Sequence, residues 1–306
     1  MGLFSFIGSI GSSIASGISK IGSAIATGVT SFAKTAFKAA TGFISSLTSS
    51  GGFIGKIATG ALKLFGGVSK IIAGPLGPIV GQIIVHLIIK AISKVVEWLA
   101  QKNEVIAPED KVEEVGYRVE EAAKHDDWQK REEFDSFKDY HEYLKNKIPA
   151  ADIDRNKLRE NHLAYVGLGI TTLTEALEEK LGLQIPLEFL IEIGRCKLSG
   201  TEINSLLEEF GAKGYNLSLF REYLQGKLTV DMNKAIEAAV LESLKKIYPE
   251  KSDEDLVSKI SSMKNSSRND VAVLKNYETE IQTLIDKPND APQILSGEVA
   301  KNDKLE

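Results

Sequence analysis

The chain has 306 residues, enough for one large or two ordinary domains, and its net charge of −5 hides a division. Residues 1–102 carry nine lysines, no arginine and one acid, Glu97, whereas the rest carries 28 basic and 41 acidic side chains. A single cysteine, Cys196, excludes an internal disulfide framework and a cysteine-rich zinc site; an acidic body beside an arginine-free arm excludes nucleic acid as the expected partner.

Residues 1–50 form the first predicted element, a Gly/Ser/Ala/Ile-rich arm. Apolar residues recur at Ile7, Ile10, Ile14, Ile18, Ile21, Ile25, Val29, Phe32, Ala36, Ala40, Phe43 and Leu47 in steps of three and four, which predicts a helix with one apolar stripe. Within it Ile7, Ile18, Val29 and Ala40 lie eleven apart, as do Ile10, Ile21, Phe32 and Phe43. Such a repeat gives about 3.67 residues per turn and a nearly straight stripe. The opposite face holds Ser, Thr and Gly with only Lys20, Lys34 and Lys38 for charge, a composition of poor helix propensity in water. The segment is expected to be helical only when lipid or neighbouring helices cover its stripe. No lysine precedes Lys20, so a secretory signal peptide is not expected. The opening MGLFSF falls short of an N-myristoylation pattern at Gly2, which wants Ser or Thr where Phe6 stands.

Residues 51–78 follow as a second amphipathic segment, opened by Gly51-Gly52 and ended by GPLGP, where Pro75 and Pro78 cannot continue a helix. The third element, 79–102, is the most apolar. Its core IVGQIIVHLIIKAISKVVEWLA has the length to span a bilayer, but Gln82, His86, Lys90, Lys94 and Glu97 line one face. That stripe is expected either to line a pore or to stay wet while the helix packs on its other faces.

The segment QKNEVIAPED marks the passage to an acidic α-helical domain over 103–287. Val112, Val115 and Val119 predict one helix, and Trp128, Phe134, Phe137, Tyr140 and Leu144 predict its continuation through DDWQKREEFDSFKDYHEYLKNKI. Ser199 with Glu202 and Ser252 with Asp255 read as capping boxes. Met232, Ile236, Val240, Leu244 and Ile247 form another core stripe. The tail 288–306 is expected to be loosely held. The predicted fold class is all-α.

Catalytic machinery is not expected. His125, Asp126, Asp127, Asp139, His141 and Glu142 are dense in potential ligands, yet the two histidines are sixteen apart with no HExxH unit, so a solvated surface is the better reading. GLGIT at 167–171 is too short for a phosphate loop, no nucleophile elbow exists, and Cys196 reads as a small buried residue. No metal or cofactor is expected.

The opening GLFSFIGSIGSSIASGI resembles membrane-active amphipathic peptides and viral fusion peptides. The wider arm is similar in composition to the N-terminal segments of membrane-penetrating virion proteins and phage ejection proteins. The resemblance covers residues 2–100 and implies membrane penetration or pore formation by a helical oligomer, membrane-associated when active and soluble or particle-packaged beforehand. Leu3, Phe4, Ile7, Ile10, Ile14, Ile18, Ile21, Ile25, Val29, Phe32, Phe43 and Leu47 would then insert into lipid, and Lys34, Lys38, Gln82, His86, Lys90 and Lys94 would line a pore or meet headgroups. The acidic domain would bind a carrier particle or protein partner. A second reading makes the protein a non-enzymatic assembly component whose arm forms a multi-helix tube.

Overall fold

The computed structural model describes residues 29–72 and 77–287, together with Asp290 and Leu295. The predicted stripe from Leu3 and Phe4 through Ile7, Ile10, Ile14, Ile18, Ile21 and Ile25 lies outside the described residues, as does the expected loose tail apart from those two positions.

The described chain is all helical: α1 (Val29–Leu47), α2 (Gly52–Ile72), α3 (Gly77–Lys102), α4 (Val112–Ala122), α5 (Phe137–Lys147), α6 (Arg155–Glu160) and α7 (His162–Leu181), then α8 (Leu187–Cys196), α9 (Gly200–Lys213), α10 (Ser218–Gln225), α11 (Val230–Ile247), α12 (Asp253–Arg268), α13 (Asp270–Asn276) and α14 (Glu278–Asp286). Three short 3-10 turns join them, and no strand occurs among the described residues.

Two helices form the centre. Ile83, Ile84, Val85, Leu87, Ile88, Ile89 and Ile92 of α3 are all buried, a run that covers most of its circumference. Six helices pack on α3: α1, α2, α4, α7, α8 and α9. Ala164, Tyr165, Val166, Leu168, Ile170 and Leu173 bury α7 in the same way, beneath α1, α2, α3, α4 and α6. Residues 29–72 and 77–102 share one hydrophobic core with the helices that follow.

Glycine sets the closest contacts. A Cβ added at Gly169 would stand 1.9 Å from the Val112 carbonyl oxygen, and one at Gly116 would stand 2.0 Å from the Tyr165 carbonyl oxygen. GLGIT, far from being a loop, is thus where α7 presses backbone to backbone against α4. Gly51 and Gly52, with φ of 70° and 49°, make the turn between α1 and α2 in a region that side-chain-bearing residues avoid.

Acids of the following domain fasten the arm. Glu132 accepts from the Phe53 backbone N–H at 3.1 Å, in the first turn of α2, and Glu175 pairs with Lys56 at 2.6 Å. In return Glu97, the sole acid of residues 1–102, accepts from the Val112 backbone N–H at 3.0 Å and from Lys111 at 3.1 Å, which places an anion at the positive end of α4.

Two expectations are corrected in detail. The helix predicted to run on through Trp128 does not form: the chain leaves α4 at Ala122 and re-enters a helix at Phe137, where Ser136 Oγ accepts from the Asp139 N–H at 3.1 Å. The buried face of α1 is also wider than the expected stripe, taking in Ala33, Phe37 and Ile44 beside Ala40, Phe43 and Leu47 and leaving Phe32 out. Ala33, Ala40 and Ile44 are fully covered and Phe37 packs on the core, while Phe32 is 38 % exposed. Small alanines let α1 lie close to α3, and counting bulky residues does not register that.

Candidate functional site

Of the residues that the sequence assigns to insertion, Phe43 and Leu47 pack on the chain's own core, Phe32 is exposed, and those from Leu3 to Ile25 lie outside the described residues. Phe43 meets Tyr165 edge-on at 5.5 Å, and Phe37 meets Phe65 at 5.6 Å. Leu47 packs on the same core, and Lys34 and Lys38 point to solvent from the other side of α1. Val29 opens the helix.

The polar stripe of α3 is partly covered within the chain: α1 lies over its first half, and Lys94 further on is exposed. His86 is 4 % exposed, and its Nε2–H donates to the Ala33 carbonyl of α1 at 2.9 Å. That bond fixes the Nε2–H tautomer of a neutral ring, since a carbonyl oxygen only accepts. One turn earlier Gln82 is half-buried, and its Oε1 is buried with no hydrogen-bond partner. One turn later Lys90 is half-buried, and Lys94 beyond it is exposed. The stripe thus runs from sealed to open along α3, and Glu97 at its end serves α4.

His162 stands half-buried in the first turn of α7. Burial lowers its pKa to about 4, with Lys90 and His86 lowering it further through their positive charge. Burial likewise lowers His86 to about 4, against the bond to Ala33, which pulls the other way. Lys90 is itself pushed below the usual lysine range by burial and by Lys94, while Glu280 of α14 opposes this. Added positive charge is therefore unfavourable at the buried His86 ring, and Lys90 and His86 bear on His162 in the same sense. Sequence reasoning picked His86 and Lys90 from their spacing. It gave His162 no role, because nothing local marks a residue whose charged neighbour is 76 positions away.

The other candidates separate. His125 stacks on Trp128 at 4.2 Å on the surface, whereas His141 is buried and bonded through Nε2 to Asp110 at 3.2 Å. Lys145 and the Ala107 N–H also donate to Asp110, whose pKa falls to about 2 under the pull of His141, Ala107 and Lys145 and against burial. Asp126, Asp127, Asp139 and Glu142 are exposed, and among the described residues no group of three His, Cys, Asp or Glu is placed to hold a metal ion. The Cys196 thiol donates to the Met263 carbonyl at 3.5 Å, and burial raises its pKa, which leaves it unactivated. A cleft of about 280 Å³ opens between α2 and α7, but its charged walls are already paired, Lys56 with Glu175 and Arg131 with Glu179.

At 26 residues α3 has the length of a span, yet among the described residues no helix is both long and apolar enough to cross a membrane. The polar residues at every turn are the physical reason. Comparison of the chain with family models, with curated proteins and with solved structures gives no match.

Proposed function

We propose that the protein is a non-enzymatic, membrane-penetrating protein whose Gly/Ser/Ala/Ile-rich arm inserts into lipid as a helical oligomer, after leaving a closed state in which α1 covers the first half of the polar stripe of α3. The observation that carries this reading is the buried His86–Ala33 contact. It makes α1 a cover over the buried first half of the polar stripe of α3. Residues 2–28 run directly into that cover, and their Ile stripe supplies the insertion: each large apolar side chain moved from water contributes about 1.5–3 kcal/mol. Lysines 34 and 38, already facing outward, suit anionic headgroups. The helices from α4 onward keep the closed state folded and offer an acidic surface to a carrier or protein partner.

A second reading, an assembly component without a membrane role, draws support from the burial of α1 to α3 in the chain's own core and from the absence, among the described residues, of a helix apolar enough to span. Dye release from anionic phosphatidylglycerol vesicles by the full chain, at pH 7 and pH 5, decides between them. Leakage that drops at least tenfold in Ile10→Asn/Ile14→Asn, with an unchanged melting temperature, supports penetration. Vesicles that stay intact at both pH values leave the assembly reading.

A further inference from the structure

We propose that His86, held beneath α1, is an acid-operated latch that releases α1 from α3. The inference rests on the closed-state reading above and adds the trigger to it.

The geometry carries the argument. His86 lies beneath α1 with its Nε2–H on the Ala33 carbonyl, so α1 is the lid that keeps water from the ring. Protonation would not remove that bond, because an imidazolium still donates from Nε2. What it would do is place a cation on a buried ring beside groups that carry, or can take up, positive charge. From α3 itself the neighbours are Lys90 and Lys94, and from α7 it is His162. From α1 come Lys34 and Lys38, both solvated on the far side, and from α2 Lys63 and Lys70, both exposed, with Lys56 paired to Glu175. Glu280 of α14 is the carboxylate that acts on Lys90, and it is held by Lys197 at 2.6 Å. No carboxylate is bonded to either histidine among the described residues, so added charge is relieved by water rather than by a partner. Lifting α1 admits that water and uncovers buried Ala33, Ala40 and Ile44 together with Phe37, Phe43 and Leu47, which pack on the core.

The sign follows from the lowered values. Open, the His86 ring returns to the ordinary 6.5; closed, it holds its proton only near 4. The closed state is therefore undisturbed above pH 6.5 and loses ground as pH falls from 6.5 toward 4. Between pH 7 and pH 5 one such histidine shifts the closed-to-open ratio by about twentyfold.

Amide hydrogen exchange of the full chain without lipid, corrected for the intrinsic pH dependence of exchange, reads the opening of residues 33–47. The expected result is at least a tenfold loss of protection in α1 on going from pH 7 to pH 5, with the amides of α9 and α11 unchanged. In His86→Gln, whose amide can donate but does not titrate, that loss should vanish. An equal loss in the variant, or none in the wild type, overturns the latch. If the variant does not fold, NMR titration of the wild-type His86 imidazole stands in its place. Titration of that ring below pH 5 supports the latch, and titration near 6.5 overturns it. Because no vesicle is present, a latch that works beside membranes that stay intact sinks the penetration reading alone.

Discussion

Around α7 the helices meet through glycine; around α8 they meet through charge. On the α7 side, Gly116 and Gly169 bring two backbones together, and Gly167 takes the Phe65 ring, with Cζ at 2.7 Å from where a Cβ would stand. On the other side of the core, Arg195 of α8 is buried and donates to the Ser266 carbonyl from Nε at 3.0 Å and from a terminal nitrogen at 2.7 Å, and it pairs with Asp270 at 2.9 Å. Glu209 pairs with Lys246 at 2.6 Å, Glu202 with Lys259 at 2.7 Å and Glu237 with Lys264 at 2.8 Å. Helix α8 belongs to both regions, since its Gly194 sits under Ile88 of α3. Steric contact has no pH or salt dependence, whereas buried charge has both. A chain built this way can have one part respond to a solvent change that the other resists.

The steric region breaks hardest. Gly169→Ala would drive a methyl into the Val112 carbonyl, a backbone atom that cannot rotate aside. A loss on the order of 4 kcal/mol is expected, at the top of the overpacking range. Thermal unfolding followed by circular dichroism measures it. Gly66→Ala is the control, because nothing stands within 4 Å of its added methyl; there the helix should gain about 0.5–1 kcal/mol. Equal losses at both positions would end the claim that close approach organises this region. Next in size is Arg195→Ala, which strips the partners from Asp270 and the Ser266 carbonyl and removes the cation beside Glu192. About 3 kcal/mol should go, as for other broken buried pairs, and urea unfolding reads it.

Opposite pH responses sharpen the contrast. Glu192 is 1 % exposed, its Oε2 has no hydrogen-bond partner, and Arg221 Nε stands 3.6 Å from Oε1, too far for a good bond. Burial raises its pKa from 4.5 to about 7, with Arg195 and Arg221 opposing. The unfolded chain thus loses its proton first, and stability falls as pH climbs from 4.5 to about 7. Glu192→Gln should therefore raise stability at pH 8 by about 2 kcal/mol and flatten the melting curve's pH dependence over that window. At His86 the sign is reversed: mild acid loosens α1 while it relieves Glu192. A destabilised Glu192→Gln at pH 8 would mean that its charge is compensated after all.

Legibility followed the same divide. Capping boxes at Ser199 and Ser252, the valine face of α4 and the buried Ile236, Val240 and Leu244 of α11 were readable because each is written within one helix. Met232 of the same stripe is 37 % exposed, for it sits in the first turn where the helix leaves the core. What the sequence did not disclose was long-range: that α3 lies against α7 and α8, that the GLGIT glycines are a crossing point, and that His86 bears on His162. Glycine spacing in an apolar helix was an available signal for the crossing, but its partner at Gly116 is visible only in three dimensions. Periodicity placed Gln82, His86 and Lys90 on one face correctly and could not say what covers that face.

The smallest predicted effects separate two boxes that look alike in sequence. Ser252 bonds Asp255 in both directions, and Asp255 is exposed. Ser199 does the same with Glu202, but Glu202 is buried and also takes the Tyr248 hydroxyl at 3.0 Å and Lys259. Truncating an exposed cap costs about 0.5–1 kcal/mol, because water replaces the lost acceptor. At Ser199 the truncation also removes a hydroxyl that donates to a buried carboxylate at 2.9 Å, so Ser199→Ala should cost about 1.5–2 kcal/mol. For a domain of this size the two variants should melt a few degrees apart. Equal melting points would mean that the carboxylate of Glu202 is held by Lys259 and Tyr248 alone, which would place the strength of this region in its ion pairs rather than its caps.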